Sequence, residues 1–502
     1  MTDIVIEYYN DSYAQIITDM SIRQELIEYF SFFVENHKFN PKVKSGLWDG
    51  KIRLFGKEGL PLGLVDKCID FANEYNYTIS NKIDLKTNIS KESFDTWLEQ
   101  YPIYKSGTRI ELHVEQYNSV YNMMKASRLL TSLPTSGGKS AIIGLCSKYY
   151  LDHNSKKVLI LVPTTMLTNQ MKENLIDYRL FNDSDILSIS SGTEKDSSAN
   201  IYVSTWQSAT KMPKEWLDKF GMLIVDEVHL ALGACLQNLN KNMTNCRYKF
   251  GLTGSLKDSK SNILQLVGLF GNVYKPTTTS KMISEGKISK INITPIVLNY
   301  SDEVKNQFKP KSVLVDNKRK LIKISYQDEI KWLINNPKRN NIISKLAIAS
   351  EDKNTIVLFK EQAHGAVLYN LISELLKGTG RKCYYIDGLV KKSSREDIKH
   401  ILEHRTGDIL VASYGTLAAG VSIDNLSRAI FAHPTKSKII NVQSIGRILR
   451  IHEDKDCAYL YDFIDDMCSG KQQNYSYKHG IIRLELYVRE HFPYTIKRIN
   501  LI

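Results

Sequence analysis

The stretch SLPTSGGKSAIIG, residues 132–144, decides how this sequence is interpreted. The apolar segment RLLTSLP (128–134) runs into two glycines, a lysine and a serine, and a helix-like segment follows. A turn between a strand and a helix gathers backbone N–H groups around phosphate, while the lysine contacts the outer phosphates and the hydroxyl binds magnesium. The residues predicted to hold a nucleotide are Thr135, Ser136, Gly137, Gly138, Lys139 and Ser140.

A pair of acids at the end of another apolar strand points to the same chemistry. DEVH, residues 226–229, ends the segment GMLIV. Two acids leaving a buried strand are costly unless they bind a metal or a reacting water. Asp226 is expected to bind magnesium and Glu227 to take the proton of the attacking water. Alone, the loop reads equally as a helix cap and the acids as a solvated strand end, but together they favour nucleotide hydrolysis.

Composition sets the broad class of the protein. The 502 residues are 42% hydrophobic, enough for about three domains. Seven scattered cysteines without a C-x-x-C pair argue against a disulfide framework and a zinc site. The N-terminus does not resemble a signal peptide, and no apolar run is long enough to span a bilayer, so a soluble intracellular protein is expected. The net charge of +13 favours a polyanionic partner, although a merely soluble basic protein has the same charge.

Short apolar runs alternate with amphipathic stretches from about residue 128 to residue 465, which predicts buried parallel strands in doubly wound α/β sheets. The alternation pauses between residues 275 and 345, so the junction of two α/β domains is placed near 285. The predicted strands are RLLTSLP (128–134), KVLILVP (157–163), IYVST (201–205), GMLIVDE (221–227), YKFGLTG (248–254), TIVLF (355–359), CYYID (383–387), DILVAS (408–413) and RAIFAH (428–433).

The sequence ahead of residue 100 has a different, aromatic character and predicts a small α+β domain. Its segment GLWDGKIRLF is interpreted as a β-hairpin that turns at Asp49-Gly50. The four predicted domains are 1–97, a nucleic-acid-binding domain; 98–284, the ATP-binding α/β domain; 285–470, a second α/β domain; and 471–502, a C-terminal helical extension.

Lysines and aromatic residues alternate in the segment 37–57, which suits phosphates and stacked bases. The alternative is that its aromatic side chains are ordinary core and its lysines are solvated. The lysine-rich segment 304–323 either extends this surface or forms a flexible charged loop. The residues of the first segment predicted to contact nucleic acid are Lys42, Lys44, Trp48, Lys51 and Arg53.

A known family has the same motifs in the same order. The segments PTSGGKS, LILVPTTMLTNQ, STWQS, DEVH, LTGSL, IVLF, ASYGTLAAGVSI and QSIGRILR resemble the motifs of superfamily 2 helicases and translocases. The phosphate loop of that superfamily typically reads PTGSGKT, so Ser136 departs from it. Within the superfamily, the chain resembles the UvsW-like recombination helicases of T4-like bacteriophages, through the segments FNPKVKSGLWDGKIRLF, YRLF, PKEW, TTTSKM, SKII and KHGI.

The resemblance implies two tandem RecA-like domains that hydrolyse ATP with Mg²⁺ in the cleft between them. Lys139 is then expected to contact the β and γ phosphates, Ser140 and Asp226 to hold the metal, Glu227 to activate water, and Gln116 to read adenine. Arg447 and Arg450, three apart on one helix face, are expected to act as arginine fingers, with Gln443 sensing the γ-phosphate. Thr253, Gly254 and Ser255 are expected to couple hydrolysis to movement. A ribose contact falls on Ser422 or Asp424. Ordinary alternatives are a basic helix face for the arginines and a simple turn for residues 253–255.

The resemblance also implies which loop residues grip the nucleic-acid strand. They are Pro163, Thr164, Thr165, Thr205, Trp206 and Gln207 in the first α/β domain, and Ser413, Tyr414 and Thr416 in the second. Their short hydroxyls and exposed N–H groups suit phosphate oxygens.

The function implied is that of an ATP-dependent 3′ to 5′ DNA helicase of phage recombination, repair and replication, acting as a monomer in the cytoplasm of the infected bacterial host. Its substrates are single-stranded and branched DNA and RNA–DNA hybrids: regressed forks, Holliday junctions, displacement loops and R-loops. Phage recombination proteins and single-strand-binding proteins are the expected protein partners. The alternatives are an RNA helicase, a non-catalytic nucleic-acid scaffold, and a restriction-system translocase, for which no nuclease cluster is visible.

Overall fold

The structure, a computed structural model, describes residues 2–34, 36–189, 197–231, 233–254, 256, 260–309, 311–315, 318–322, 324–390, 392–418, 423–453, 455–470 and 472–501. The chain forms two compact units, Met1–Thr277 and Thr278–Ile502. Within the described ranges no helix has the length and apolar character needed to cross a membrane. The finer division into four domains stays a prediction.

The N-terminal part of unit 1 is a small α+β structure, as the sequence predicts. Its four-stranded sheet has the order β5-β2-β1-β6, with β1 antiparallel to β2 and parallel to β6. Its elements are β1 (Ile4–Tyr8), β2 (Tyr13–Thr18), α1 (Met20–Tyr29), β3 (Ser31–Phe33), α2 (Pro41–Lys44), β4 (Lys51–Arg53), β5 (Leu60–Pro61), α3 (Val65–Glu74) and β6 (Ile79–Asn81).

The predicted hairpin at Asp49-Gly50 is wrong. Strand β4 does pair antiparallel, but its partner is β3, and residues 34–50 connect the two strands. Helix α2 lies within that connection, begun by Asn40, whose side chain accepts from the N–H of Lys42. A proline at the first helical position and an asparagine cap favour a helix over a strand there.

A seven-stranded parallel sheet forms the rest of unit 1, in the order β11-β12-β10-β13-β14-β9-β15. Successive residues of β10 face opposite cores: Val158 and Ile160 belong to one hydrophobic cluster, Leu159 and Leu161 to the other. The elements are α4 (Lys91–Leu98), β7 (Ile103–Lys105), β8 (Thr108–Ile110), α5 (Val114–Ala126), β9 (Arg128–Ser132), α6 (Lys139–His153), β10 (Lys157–Val162), α7 (Thr165–Asp177), β11 (Ile186–Ser188), β12 (Ile201–Thr205), α8 (Trp206–Ala209), α9 (Lys214–Leu217), β13 (Phe220–Val225), α10 (Gly233–Asn242), β14 (Tyr248–Thr253), α11 (Lys260–Phe270) and β15 (Val273–Tyr274).

A buried polar network joins the N-terminal part to this sheet. Lys249, at the start of β14, is fully buried, and its ammonium donates to Asp11 O at 3.0 Å, Ser12 Oγ at 2.6 Å and Asn240 Oδ1 at 3.2 Å. Arg128, its neighbour across the β9–β14 ladder, also donates to the carbonyl of Asp11. The turn between β1 and β2 is therefore fastened to the amino ends of two central strands.

Unit 2 contains a second seven-stranded parallel sheet, in the order β20-β21-β19-β22-β23-β16-β24. Its elements are α12 (Thr279–Ser284), β16 (Lys290–Tyr300), α13 (Asp302–Gln307), β17 (Lys311–Val315), β18 (Lys318–Ile322), α14 (Tyr326–Ile334), α15 (Pro337–Ile348), β19 (Asn354–Phe359), α16 (Gln362–Leu375), β20 (Cys383–Ile386), α17 (Lys392–His404), β21 (Ile409–Ser413), α18 (Tyr414–Ala418), β22 (Leu426–Phe431), α19 (Lys438–Ile448), β23 (Cys457–Asp466), α20 (Tyr475–Arg489) and β24 (Lys497–Leu501).

The predicted fold class is confirmed, and all nine predicted strands are present. However, the range 275–345, in which the alternation pauses, contains a strand of this sheet. Strand β16 lies there, and it pairs in parallel with β23 along ten residue pairs and with β24 along five. The C-terminal segment likewise ends in a sheet strand rather than in a helix and tail.

Two buried ion pairs stabilise the carboxyl end of β23. Asp465 accepts from the guanidinium of Arg339 at 2.8 Å, and Asp462 accepts from that of Arg483 at 2.8 Å. All four side chains are almost completely buried. Because buried charges require partners, the two arginines explain how Asp462 and Asp465 are buried near the end of β23.

We expect Lys249→Ala to destabilise unit 1 by about 3 kcal/mol, since it leaves buried acceptors unpaired and opens a cavity. Lys241→Ala is the matched control: its ammonium makes an exposed ion pair with Glu58, which is worth about 0.5 kcal/mol. The measurement is urea unfolding followed by tryptophan fluorescence, because four of the five tryptophans, Trp48, Trp97, Trp206 and Trp216, lie in unit 1. Equal unfolding midpoints for the two variants would contradict this assignment.

Candidate active site

The predicted phosphate loop lies between β9 and α6. Strand β9 ends at Ser132 and α6 begins at Lys139, so residues 133–138 form the turn. Ser136 has φ of 72° and Gly138 has φ of 79°, both in the left-handed region. The superfamily's glycine at the position of Ser136 thus corresponds to a backbone that favours glycine. The side-chain oxygen of Thr135 is buried in the loop and has no hydrogen-bond partner among the described residues.

Gln116 contacts this loop directly. Its Nε2 donates to the carbonyl of Gly137 at 3.1 Å, and its Oε1 accepts from the N–H of His113 at 2.9 Å. A Cβ on Gly138 would lie only 2.0 Å from the Gln116 amide nitrogen. The residue predicted to read adenine therefore packs against the turn that is predicted to hold the phosphates.

The two acids meet the loop at the carboxyl end of the sheet. Lys139 Nζ lies 3.2 Å from Glu227 Oε1. The other oxygen of Glu227 accepts from the N–H of Gly254 at 3.3 Å, and Asp226 Oδ1 accepts from the N–H of Glu227 at 2.9 Å. A Cβ on Gly254 would lie 3.0 Å from Thr135 Oγ1. Loop, acid pair and predicted coupling residues thus converge because β9, β14 and β13 are neighbours in the sheet.

Burial drives the pKa values of the two carboxyls apart. Burial, together with the charge of Glu227, raises the pKa of Asp226 to about 7. Burial acts in the same direction on Glu227, but the Lys139 ammonium, His229 and the hydrogen bonds from Lys139 and the Gly254 N–H together outweigh it and hold the pKa of Glu227 below its ordinary value. Glu227 therefore carries the negative charge of the pair, while Asp226 makes no ion pair with any residue in the described ranges.

Two further side chains complete the site without having been assigned a role from the sequence. His229 is buried, and its Nδ1 lies 2.6 Å from Thr253 Oγ1 and 3.4 Å from Glu227 Oε2, so it joins the acids to the predicted coupling strand. The hydroxyl of Tyr178 lies 2.6 Å from Ser140 Oγ. The histidine was visible within DEVH, and the tyrosine is the first residue of YRLF, a segment that carries the resemblance but was given no role. Ser255 lies outside the described residues.

The predicted strand-gripping residues of unit 1 follow two strand ends. Pro163 and Thr164 follow β10, and Thr164 is the residue before α7, which begins at Thr165. Thr205, Trp206 and Gln207 were expected to lie in a loop, but α8 begins at Trp206, so two of the three are helical. The indole of Trp206 is buried in the core and the Thr205 hydroxyl accepts from the N–H of Ser208, which caps the helix.

Arg447 and Arg450 do not share one helix face. Helix α19 contains Gln443 and Arg447 but ends at Ile448, so Arg450 lies beyond it. Arg450 donates to Asp424 at 2.8 Å, which gives this acid an ion pair within unit 2. The second candidate for the ribose contact, Ser422, lies outside the described residues.

The remaining predicted contacts of unit 2 lie where β21 passes into α18. Ser413 is the last residue of the strand, and its Oγ accepts from the N–H of Thr416 at 3.1 Å. Tyr414 is buried in the core, its ring edge-to-face with that of Phe431. Its hydroxyl has no hydrogen-bond partner in the described part of the chain.

The predicted basic surface of the N-terminal part is divided between free and paired cations. Lys42 and Lys44 are exposed on α2. Lys51 pairs with Glu28 at 2.6 Å, Arg53 pairs with Asp49, and Trp48 donates from its indole to the carbonyl of Lys51. Phe39 and Leu47 are exposed by 74% and 81% beside the two free lysines, so the described tip is both basic and apolar.

We expect Gly138→Ala to destabilise unit 1 by about 2 kcal/mol or more, because the new methyl group collides with Gln116 and the backbone there is left-handed. Gly378→Ala is the matched control: Gly378 has the same φ of 79° with no atom near its Cβ position, so only the backbone cost of about 1 kcal/mol remains. Adding Gln116→Ala to Gly138→Ala should recover the difference. The urea unfolding midpoints of these variants test the contact, and a double variant no more stable than Gly138→Ala would exclude it.

Family models match three successive parts of the chain. Residues 3–84 match the model "DNA helicase UvsW, N-terminal", residues 87–258 match "Type III restriction enzyme, res subunit", and residues 338–452 match "Helicase conserved C-terminal domain". The matched ranges contain the N-terminal sheet, the phosphate loop with its acids, and the arginines of unit 2.

The similarity to one relative extends over the whole chain. The ATP-dependent DNA helicase uvsW of Enterobacteria phage T4 is 40% identical over 99% of this chain and 100% of its own length. The crystal structure of T4 UvsW covers 100% of both chains with a TM-score of 0.53 and 38% identity. A DNA 3'-5' translocase, XPB2 of Sulfurisphaera tokodaii, is 24% identical over 86% of this chain and 95% of its own. The chain therefore belongs to the UvsW family of ATP-dependent DNA helicases, with two RecA-like domains that follow an N-terminal UvsW domain.

Proposed function

We propose that this chain couples ATP hydrolysis to 3′ to 5′ movement along DNA and thereby remodels branched DNA. Regressed forks, Holliday junctions, displacement loops and R-loops are the proposed substrates, as for a helicase of phage recombination, repair and replication. The polarity agrees with the name of the archaeal translocase relative. The chain is proposed to act as a monomer in the cytoplasm of the infected host, alongside phage recombination and single-strand-binding proteins.

The contact between Lys139 and Glu227 carries this proposal. An ammonium 3.2 Å from a carboxylate neutralises it in the resting site. A triphosphate offers the same lysine a more highly charged partner, so ATP binding would draw Lys139 to the β and γ phosphates and release Glu227 to orient or deprotonate the attacking water. Gln116, already bonded to the loop, would then contact the adenine.

The residues present also fit a magnesium ion. Asp226 is half-buried beside a charged neighbour and makes no ion pair among the described residues, and hard oxygen ligands are those that Mg²⁺ prefers. Asp226 and Ser140 would hold the ion, and a Ser140 hydroxyl that donated to Tyr178 across their 2.6 Å contact would keep its lone pairs available. When bound, the ion neutralises charge on the phosphate oxygens.

The remaining predicted roles are to couple ATP hydrolysis to movement and to hold the nucleic-acid strand. Arg447, Arg450 and Gln443 are proposed to act on the γ-phosphate, which requires Arg450 to leave Asp424 or to share it. Thr253, Gly254 and Ser255 are proposed to transmit the change at Glu227, since Gly254 donates to that carboxylate and His229 bridges it to Thr253. The loop residues after β10, β12 and β21 are proposed to hold the strand, and Lys42, Lys44, Trp48, Lys51 and Arg53 to hold the branch.

We expect Lys139→Ala and Glu227→Gln each to lower DNA-stimulated ATP turnover by about 100-fold or more while DNA binding persists. Lys148→Ala on the same helix is the matched control, because its ammonium pairs with Asp152 and lies over the ring of Tyr101, neither of which belongs to the proposed site. Phosphate release measures turnover and fluorescence anisotropy measures binding. Near-normal turnover in either site variant would remove the proposed active site.

The proposed substrate class is tested with nucleic acids of different shape. ATP turnover should rise more with a four-way DNA junction, a fork or an RNA–DNA loop than with linear duplex DNA, and strand separation should follow the same order. Stronger stimulation by duplex RNA would favour an RNA helicase instead. Binding without any turnover would favour a non-catalytic scaffold.

A further inference from the structure

A cavity of about 600 Å³ opens on unit 2 where two parallel strands end. Strand β19 ends at Phe359 and β22 at Phe431, and the residues that follow each strand line the opening. Helix α14 forms the opposite wall. The carboxyl edge of a parallel sheet is the usual place for ligands in α/β proteins, and none of the residues assigned a role above lines this cavity.

His433 lies at the closed end of the cavity with no hydrogen bond. The ladder with β19 continues through Ala432, whose N–H donates to Leu358 O, and His433 is the first residue beyond it. The side chain is 1% exposed, and neither ring nitrogen has a hydrogen-bond partner within the described ranges. An unpaired buried polar group costs about 1 to 3 kcal/mol, so this site carries a cost that a ligand would remove.

The chemistry of that imidazole restricts the ligand. Burial, and then the charges of Lys360 and Arg339, lower the pKa of His433 to about 3. The ring is therefore neutral and presents one N–H donor and one nitrogen acceptor. A phosphate offers only acceptors and satisfies at most one of them, whereas the edge of a nucleobase offers both a donor and an acceptor.

The walls and the rim of the cavity match the other parts of a nucleotide. Ile330, Ile334 and the ring of Tyr326 supply apolar and aromatic surface. The exposed side chains of Lys331, Lys360 and Glu361 stand at the rim, and the Lys360 ammonium lies 3.9 Å from the Glu361 carboxylate. Bases stack on aromatic surface and phosphates attract lysine, so this arrangement suits one base inside and the adjoining backbone outside.

We propose that this cavity takes one nucleobase of the bound strand, with His433 hydrogen-bonding to the base edge and Lys331 and Lys360 contacting the flanking phosphates. This inference rests on the proposed function, since it requires a nucleic-acid strand on unit 2. Because a neutral imidazole can carry its proton on either nitrogen, the cavity accepts different bases, as a motor that moves through any sequence needs.

The experiment compares two oligonucleotides of equal length, one with bases and one with an abasic backbone, by fluorescence anisotropy at fixed salt. The full chain should prefer the base-bearing strand. His433→Phe, which retains bulk without polar atoms, should weaken binding of that strand roughly tenfold and leave the abasic strand unchanged. Lys360→Ala should weaken both strands equally and reduce the salt dependence by about one phosphate contact. Lys377→Ala, beyond the far end of α16, should change neither.

A second variant tests the cavity without changing His433, so that a folding defect of His433→Phe does not decide the result. Ala363→Trp introduces a large side chain from the exposed rim, so it should block the cavity without disturbing the core and abolish the base preference. An unchanged preference for bases in both His433→Phe and Ala363→Trp would overturn the inference. The inference would also be overturned if the unaltered chain bound both strands equally, even though calorimetry detected binding of a free nucleoside. Failure of the unaltered chain to bind either strand would instead overturn the proposed function, and this inference with it.

Discussion

Two carboxylates side by side at the end of a central strand require a compensating cation, and unit 1 is arranged to supply one. Asp226 and Glu227 leave β13 half-buried and next to each other, so their charges would repel each other without Lys139. The lysine reaches them because it is the first residue of α6, and α6 follows a turn that Gln116 and Gly138 hold in place. The order of the strands brings the loop, the acids and the glycine after β14 into one small region, and the resting ion pair offsets the negative charge gathered there.

The same two strands carry a second constraint at their opposite ends. Arg128 and Lys249 face each other at the amino ends of β9 and β14, and both donate to the turn of the N-terminal sheet at Asp11. The carboxyl ends of these strands lead into the phosphate loop and to Thr253. The two strands that lead into the nucleotide site are therefore also the strands to which the N-terminal part is hydrogen-bonded.

The features that depend on residues adjacent in sequence were predicted correctly. The nine strands were recognisable because buried parallel strands are continuous apolar runs, and the phosphate loop because its glycines, lysine and serine are contiguous. Strand β16 was missed since polar residues alternate with apolar ones in its first half and Pro295 interrupts it, and its partner β24 is a short, largely exposed edge strand. The helix end before Arg450 and the burial of Trp206 were hidden for a related reason: both depend on packing against residues distant in sequence.

Buried polar groups at the strand ends of unit 2 are of two kinds: some have partners within the chain, and His433 has none among the described residues. Asp462 and Asp465 at the end of β23 are enclosed with Arg483 and Arg339, every carboxylate has a guanidinium, and nothing is left for a ligand. His433, one strand away, is equally buried but has no partner, although the Arg339 that neutralises Asp465 also donates to the carbonyl just before it. Within the described part of this sheet edge, the carboxylates of Asp462 and Asp465 have guanidinium partners while neither ring nitrogen of His433 has a hydrogen bond, and it is this contrast that supports a contact from His433 to a group outside the chain.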